Sequence, residues 1–431
     1  MVVELVLPSV LLVALILLGV PVAFSLSIAG VVGLAMTLGV DRMAGLMLTV
    51  PYSNVAFFLL ATVPMFILMA EFLNESDLTE VIYEAAHKWF GNIPGGVAIT
   101  TTLASGGLAA LSGSSTATAA TMSKIAVPEM RRFGYDDRLS FGTVSAAGTF
   151  AVMIPPSLGL IIYGIQTETS ISALFIGGIV PGLLTIGSYV AVIYAWGLRE
   201  PDVIGGGTVK YSWPERFRSL LTIWPALMIV LLVIGGLYLG VVTPTEAGAL
   251  GAFGTFVVAV VVFGMRFEGT VKALQRTAET TTMIFMIIIG AVFFARYLTV
   301  TGVTPAIIDF VTSLPIGPLG ILMFVLVIYI ALGTMMDQLA ILLLTLPITF
   351  PLATSLGFDP IWFGILIAKT IEIGLVTPPL GLNVYIATGP MNVDVDVGFR
   401  GALRFIVADI IVLALLIFVP ELTLFLPNLA G

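Results

Sequence analysis

Apolar runs set the architecture. Predominantly hydrophobic stretches recur near residues 2–20, 21–40, 54–74, 137–166, 170–198, 219–240, 244–265, 278–300, 360–388 and 397–420. Each can cross roughly 30 Å of hydrocarbon as a helix of about 20 residues. Two further regions, 93–130 and 315–351, are apolar but interrupted by Ser112-Gly113-Ser114-Ser115 and by Gly333-Thr334-Met335-Met336-Asp337. Each of their arms is about 16 residues long, short for a full crossing. They either cross twice or dip in and return as re-entrant hairpins, and the neutral Ser/Gly turn of the first favours a buried tip. In 75–90, Leu78, Val81, Ile82, Ala85 and Trp89 share one helical face, as in an arm lying along a membrane surface. The shorter, more charged 266–280 reads the same way, and 199–218 is the one sizeable polar loop.

A repeat underlies the pattern. Pro128 leads to Gly134-Tyr135-Asp136 as Pro351 leads to Gly357-Phe358-Asp359, at an offset of 223 residues. Pro155-Pro156 and Pro378-Pro379 share that offset, as do Pro21 and Pro244. After one gap, Gly159-Leu160 and Tyr163 align with Gly381-Leu382 and Tyr385. The expected organisation is a first repeat at 1–198, with hairpin 93–130 and broken helix 137–166. A linker at 199–218 follows, then a second repeat at 219–431, with hairpin 315–351 and broken helix 360–388. Five spans and one hairpin per half are an odd number of crossings, so the second half enters the membrane upside down. This is the inverted-topology repeat of secondary transporters, whose symmetry suits alternating access. The fold class is an all-α polytopic membrane protein.

Composition agrees. Of 431 residues, 59% are hydrophobic and only 10% charged, where soluble chains run near a quarter charged. Cysteine is absent, which excludes disulfide and thiol chemistry, and the lone histidine, His87, leaves no material for a His relay or a Ser/His/Asp triad. His87 is expected to be solvated on the surface arm. The start of the chain has Glu4 in place of a basic segment, so 2–20 reads as a retained span. Basic residues give the threading a direction. With Arg131, Arg132 and Arg138 in the cytoplasm, Lys88, Lys124, Arg199, Lys210, Arg216, Arg218, Arg266, Lys272, Arg276, Arg400 and Arg404 also fall inside. Only Arg42 and Arg296 fall outside, and both termini face outward.

The breaks carry the candidate chemistry. Each Pro-Pro pair removes amide donors and frees carbonyls at mid-membrane depth, where broken backbone must face protein or a watery cavity. Freed carbonyls suit Na⁺ and half-helix N-termini suit carboxylates; a lone proline would read as a structural kink, but two symmetry-related Pro-Pro breaks favour function. Ser112, Ser114, Ser115, Thr116 and Thr118 serve either close helix packing or a hairpin tip that offers oxygens to a cation. Asp337 is either functional at that depth or part of a solvated turn. Lys369 and Glu372 read as a self-neutralising buried pair ahead of a substrate contact. Glu246 reads as a helix cap, and Glu71 and Arg296 as side chains reaching the interface. Within the spans the only acid/base groups singled out are Asp337 and the Lys369/Glu372 pair, too few for an intramembrane enzyme. No Walker motif is present, so ATP does not drive this chain directly.

At Leu111–Ala117, Met130-Arg131-Arg132-Phe133-Gly134-Tyr135, Ile154-Pro155-Pro156-Ser157, Thr243-Pro244-Thr245-Glu246-Ala247 and Ile373–Asn383 the sequence resembles the large (M, DctM-type) subunit of tripartite ATP-independent periplasmic (TRAP) transporters. The resemblance implies re-entrant hairpins, and a hairpin-and-broken-helix transport domain that moves in an elevator fashion against a scaffold. It implies a small four-helix membrane (Q) subunit, a periplasmic substrate-binding protein, a small organic anion as cargo and Na⁺ as coupling ion. No other cofactor, no nucleic acid and no enzymatic activity are expected, and the setting is the bacterial or archaeal cytoplasmic membrane. Carried over, the cation sites are Ser112, Gly113, Ser114, Ser115 and Thr116 with Gly148, Thr149 and Pro155, and Gly333, Thr334 and Asp337 with Gly374, Val376, Thr377 and Pro379. Ser157, Asn383 and Thr118 are the candidate substrate contacts. The competing expectations are a self-sufficient dicarboxylate or citrate permease with no binding protein, and a passive channel.

Overall fold

The computed structural model describes residues 2–205 and 211–430; Lys210, one of the threaded basic residues, lies outside them. Helices follow one another with no β-strand among the described residues. The first repeat holds α1 (Val2–Leu17), α2 (Val22–Leu38), α3 (Val40–Val55), α4 (Thr62–Asn74) and α5 (Leu78–Phe90). Its hairpin is α6 (Gly96–Ser112) and α7 (Ser115–Arg132), its broken helix is α8 (Asp137–Gly148) and α9 (Leu158–Thr167), and α10 (Ile171–Arg199) closes it. After α11 (Trp213–Thr222), α12 (Trp224–Val230) runs through a π turn into α13 (Gly236–Tyr238), then come α14 (Pro244–Val261), α15 (Phe267–Thr301) and α16 (Val303–Thr312). The second hairpin is α17 (Gly317–Gly333) and α18 (Gln338–Ser355), and the second broken helix is α19 (Pro360–Val376) and α20 (Leu382–Thr388). α21 (Val395–Phe418) and α22 (Glu421–Ala430) follow. Five of these helices are long and apolar enough to cross a membrane, or seven if two bent pairs count as spans.

The register of the repeat has a local cause. Gly134 and Gly357 adopt φ of 76° and 80°, the left-handed conformation that ends a helix without a Cβ penalty. The next N–H closes each turn, Tyr135 to Met130 at 3.0 Å and Phe358 to Ala353 at 3.1 Å. Asp136 and Asp359 then cap α8 and α19, accepting from Arg138 N at 2.7 Å and Ile361 N at 2.8 Å. The Arg138 side chain also donates to Asp136 and holds its carboxyl below the usual aspartate range. The contribution of that cap is therefore present at neutral pH and is lost as pH falls below about 4. Asp359→Ala is expected to lower stability by about 0.5–2 kcal/mol, read as a drop in melting temperature in detergent.

Three expectations need correction. The stretch 266–280 is no separate surface arm: it opens the 35-residue helix α15, since no proline or glycine interrupts the chain between Gly269 and Gly290. The offset of 223 pairs α5 with α16 and the N-terminal part of α15 with α3; α3 and α16 were absent from the sequence reading. Over α3 and α4 the same segment bends by 58° near Ala56–Phe57. The linker is partly helical, because Ser212 and Glu215 form a capping box that starts α11. His87 is buried among Tyr83, Phe133 and Tyr211, and burial lowers its pKa, which keeps the imidazole neutral.

Symmetric packing sets where the breaks sit. α2 lies along α15, and α14 along α4; Thr62 and Thr245 hydrogen-bond at 2.7 Å within this group. The broken helices are clasped crosswise. α9 packs on α18 and α20 on α7, Ser123 donates to the Ala387 carbonyl at 2.6 Å, and Tyr163 to that of Pro360 at 2.7 Å. Charged groups that the threading assigns to one side pair there, Arg276 with Glu75 at 2.8 Å and Arg404 with Glu200 at 2.6 Å. Glu71, expected simply to reach the interface, also faces Arg276 at 3.8 Å.

Candidate functional site

In both repeats the hairpin tip meets the break of its own repeat. α8 ends at Gly148, one 3₁₀ turn covers Thr149–Val152, and the chain leaves helix through Pro155-Pro156 until Ser157 caps α9. Gly113 forms the tip at φ 60°. A Cβ there would lie 2.8 Å from the Pro156 carbonyl oxygen, so only glycine allows the approach. The Leu158 N–H points to the Gly113 carbonyl at 3.5 Å. Gly148 is equally close to the other arm, its Cβ position 2.7 Å from Ala119 Cβ. These contacts gather Ser112, Gly113, Ser114, Ser115, Thr116 and Thr118 beside Gly148, Thr149 and Pro155.

The second site repeats the arrangement. Gly333 at the end of α17 touches Gly374 backbone to backbone, and the Gly381 N–H donates to the Thr334 carbonyl at 3.2 Å. Thr377 follows Val376 at the break, its hydroxyl donating to Ile373 O at 2.6 Å and its N–H to Gly374 O at 3.0 Å. Asp337 caps α18, accepting from Leu339 N at 3.0 Å. Gly333, Thr334, Gly374, Val376 and Thr377 therefore come together with the Pro378-Pro379 turn, while one Asp337 oxygen is engaged in capping.

The local chemistry is rich in acceptors. The hydroxyls of Thr118, Ser157, Thr334 and Thr377 all donate to backbone carbonyls, at 2.8, 2.6, 2.8 and 2.6 Å. With their protons committed, their oxygens can only accept. Ser157, Thr118 and Asn383 are all fully buried. The first two lie at the first break. Asn383 reaches the Ser145 carbonyl at 3.5 Å across the repeat boundary, and its Oδ1 has no partner among the described residues.

A sequence model described as "Tripartite ATP-independent periplasmic transporter, DctM component" matches residues 9–422. The chain belongs to the DctM family. It is thus the large, multi-pass permease subunit of a substrate-binding-protein-dependent transporter of the inner membrane, working with a small membrane subunit, and is not an enzyme. Among its relatives, the C4-dicarboxylate TRAP transporter large permease protein of Pseudomonas aeruginosa is 35% identical over 86% of this chain and 87% of its own length. The sialic acid TRAP transporter large permease protein of Vibrio cholerae is 31% identical over 95% of each chain. The DctMQ isethionate permease of Oleidesulfovibrio alaskensis is 32% identical over 94% of this chain, which spans only 64% of that protein. The crystal structure of the Alcanivorax borkumensis YdaH transporter shares the fold, with TM-score 0.64 at 13% identity over 95% of this chain and 97% of that one.

Sequence reasoning missed part of this DctM subunit's polar core. Lys369 and Glu372 are not a closed pair. The Lys369 ammonium donates to Glu372 Oε2 at 2.8 Å, to Asp409 Oδ1 at 2.5 Å and to Thr185 Oγ1 at 3.1 Å. Tyr189 donates to Asp409 Oδ2 at 2.7 Å. Asp409, a lone acid inside the run 397–420, was the available signal. Gln338 was also missed: it is buried against Gly159, and its Nε2 has no partner among the described residues. Glu246 does cap α14, accepting from Thr243 N at 2.8 Å.

Proposed function

We propose that this DctM subunit imports a small organic acid driven by inward Na⁺ flow, with both termini on the periplasmic side. The observation that carries the reading is the docking of each hairpin tip on the break of its own repeat, twice and in symmetric fashion. Carbonyls and acceptor-only hydroxyls at such a junction can replace the water shell of Na⁺. The two cation sites are Ser112–Thr116 with Gly148, Thr149 and Pro155, and Gly333, Thr334 and Asp337 with Gly374, Val376, Thr377 and Pro379. Ser157, Asn383 and Thr118 contact the cargo. Relatives named for C4-dicarboxylates and sialic acid support a carboxylate cargo. Hairpins, broken helices, α10 and α21 form the moving body of an elevator, with the α2/α15 and α4/α14 pairs as scaffold.

The test is uptake into proteoliposomes that hold the permease and its small subunit, with the binding protein outside and labelled C4-dicarboxylate and sialic acid run in parallel. Uptake should require the binding protein and should stop when choline replaces Na⁺. Ser114→Ala, Thr377→Ala and Asp337→Asn should each raise the Na⁺ concentration for half-maximal uptake by about tenfold, equivalent to roughly 1.4 kcal/mol of lost binding. Uptake without binding protein would instead make the chain a self-sufficient carrier. Uptake in choline would sink the coupling, and three unchanged Na⁺ curves would sink the placement of the sites.

A further inference from the structure

The buried cluster of α10, α19 and α21 is one positive charge short. It holds one ammonium, Lys369, and two carboxylates, Glu372 and Asp409, with side chains at most 1% exposed. Asp409 is satisfied at both oxygens, by Lys369 and by Tyr189. Glu372 is not: Oε2 accepts from Lys369, but Oε1 has no hydrogen-bond partner among the described residues. The hydroxyl of Thr149 lies beside Glu372 but donates its proton to the Ala146 carbonyl at 2.7 Å. The groups facing Glu372 are thus Lys369, Asp409, Tyr189 and Thr149, while Thr185 accepts from Lys369. An unmatched charge in so dry a place is strongly unfavourable unless a cation comes near or the carboxyl takes up a proton.

Position shows which cation that is. Residues 149 and 372 are 223 apart, so they are equivalent positions of the two repeats. Equivalent positions touch only where the pseudo-two-fold axis passes, so Glu372 sits on that axis between the two breaks. Thr149 belongs to the first candidate cation site, and Glu372 lies two residues before Gly374 of the second. The charges themselves are asymmetric: Ala146 and Gly187 stand where the second repeat has Lys369 and Asp409. Apart from Asp337, which caps α18, the proposed ligands are neutral carbonyls and hydroxyls.

We propose that Glu372, with Asp409 leaving the cluster one negative charge in excess, is the shared fixed counter-charge for the cations bound at both breaks. This rests on the sodium reading above and deepens it: neutral ligands supply coordination, and one central carboxylate supplies the charge for both sites. A single carboxylate serving two sites also couples them, because occupation of one weakens the attraction felt at the other.

The experiment reads Na⁺ binding without cargo. The full chain, co-purified with its small subunit, is melted while NaCl replaces choline chloride at constant ionic strength. The wild-type melting temperature should rise with Na⁺. Asp409→Asn and Glu372→Gln each leave a neutral cluster of nearly unchanged shape, and each should shift the Na⁺ midpoint upward by about tenfold. Asp409→Glu, which restores the charge, should keep the midpoint within about twofold of wild type. A purely structural role would lower the melting temperature of the neutral variants without moving their midpoints, and that result overturns this inference alone. A flat wild-type response overturns the sodium reading and this inference with it.

Discussion

Lys369→Met is expected to yield little or no folded protein. The lysine is completely buried and holds two carboxylates, Glu372 at 2.8 Å and Asp409 at 2.5 Å. Methionine nearly fills the same space, so packing is not the issue. What is lost is the only positive charge in the cluster. Two carboxylates would then face each other across a dry core, and breaking a buried pair by removing one partner costs about 3–5 kcal/mol. That is a large share of the roughly 5–15 kcal/mol that holds a typical fold together. The check is the monodisperse fraction after detergent extraction, together with the melting temperature of what survives. Replacing the whole network, as Lys369→Met/Glu372→Gln/Asp409→Asn, should restore much of the folded yield, because exchanging a buried ionic network for neutral groups is often neutral. A single variant as stable as wild type would show that the cluster is not charged as described.

Legibility in the sequence divides along physical lines. Features written in local chemistry were readable: the apolar runs, the Pro-Pro breaks, the glycine and aspartate that end one helix and cap the next, and the register joining them. Those positions encode backbone geometry, so two copies look alike in sequence. α15 runs unbroken through a charged segment that its counterpart, α3 and α4, bends by 58°; Pro51 and Pro64 in the first copy, against no proline in α15, were a local signal left unused. Elements set by tertiary packing were not readable. His87 carries no mark of burial, since its neighbours Phe133 and Tyr211 are distant in the chain. The charge cluster is the sharpest case. Lys369 and Glu372 are three residues apart and were seen, while Asp409 is 40 residues beyond Lys369. A helix pair reads as complete until the fold adds a third member. The proposed cation ligands are hard to read for a different reason: backbone carbonyls leave no residue type behind, so only the breaks and the hydroxyls beside them betray the site.

Gly374→Ala is expected to abolish most uptake while its nearest control does not. α17 and α19 meet glycine to glycine at Gly333 and Gly374. A Cβ on Gly374 would sit 2.6 Å from the Gly333 Cα and 2.9 Å from the Ile330 carbonyl oxygen. Both obstacles are backbone, so no side chain can swing aside, and the helices must separate. Overpacking of this kind costs about 1–3 kcal/mol. The displacement falls where Thr334 accepts from Gly381 at 3.2 Å, so it opens the second tip-to-break junction as well as loosening the core. Gly187, within α10, has nothing within 4 Å of its Cβ position. Gly187→Ala should be tolerated or slightly stabilising, by about 0.5–1 kcal/mol, because alanine loses less backbone entropy in a helix. The comparison is uptake in proteoliposomes beside melting temperature in detergent. Gly374→Ala should fall in both, with uptake falling further than its share of folded protein, because misplacing Gly374 and Thr377 weakens a site that even correctly inserted chains need. Equal losses in the two measurements would reduce the glycine contact to packing. Full uptake in Gly374→Ala would mean that the hairpin does not need to close on the break at all.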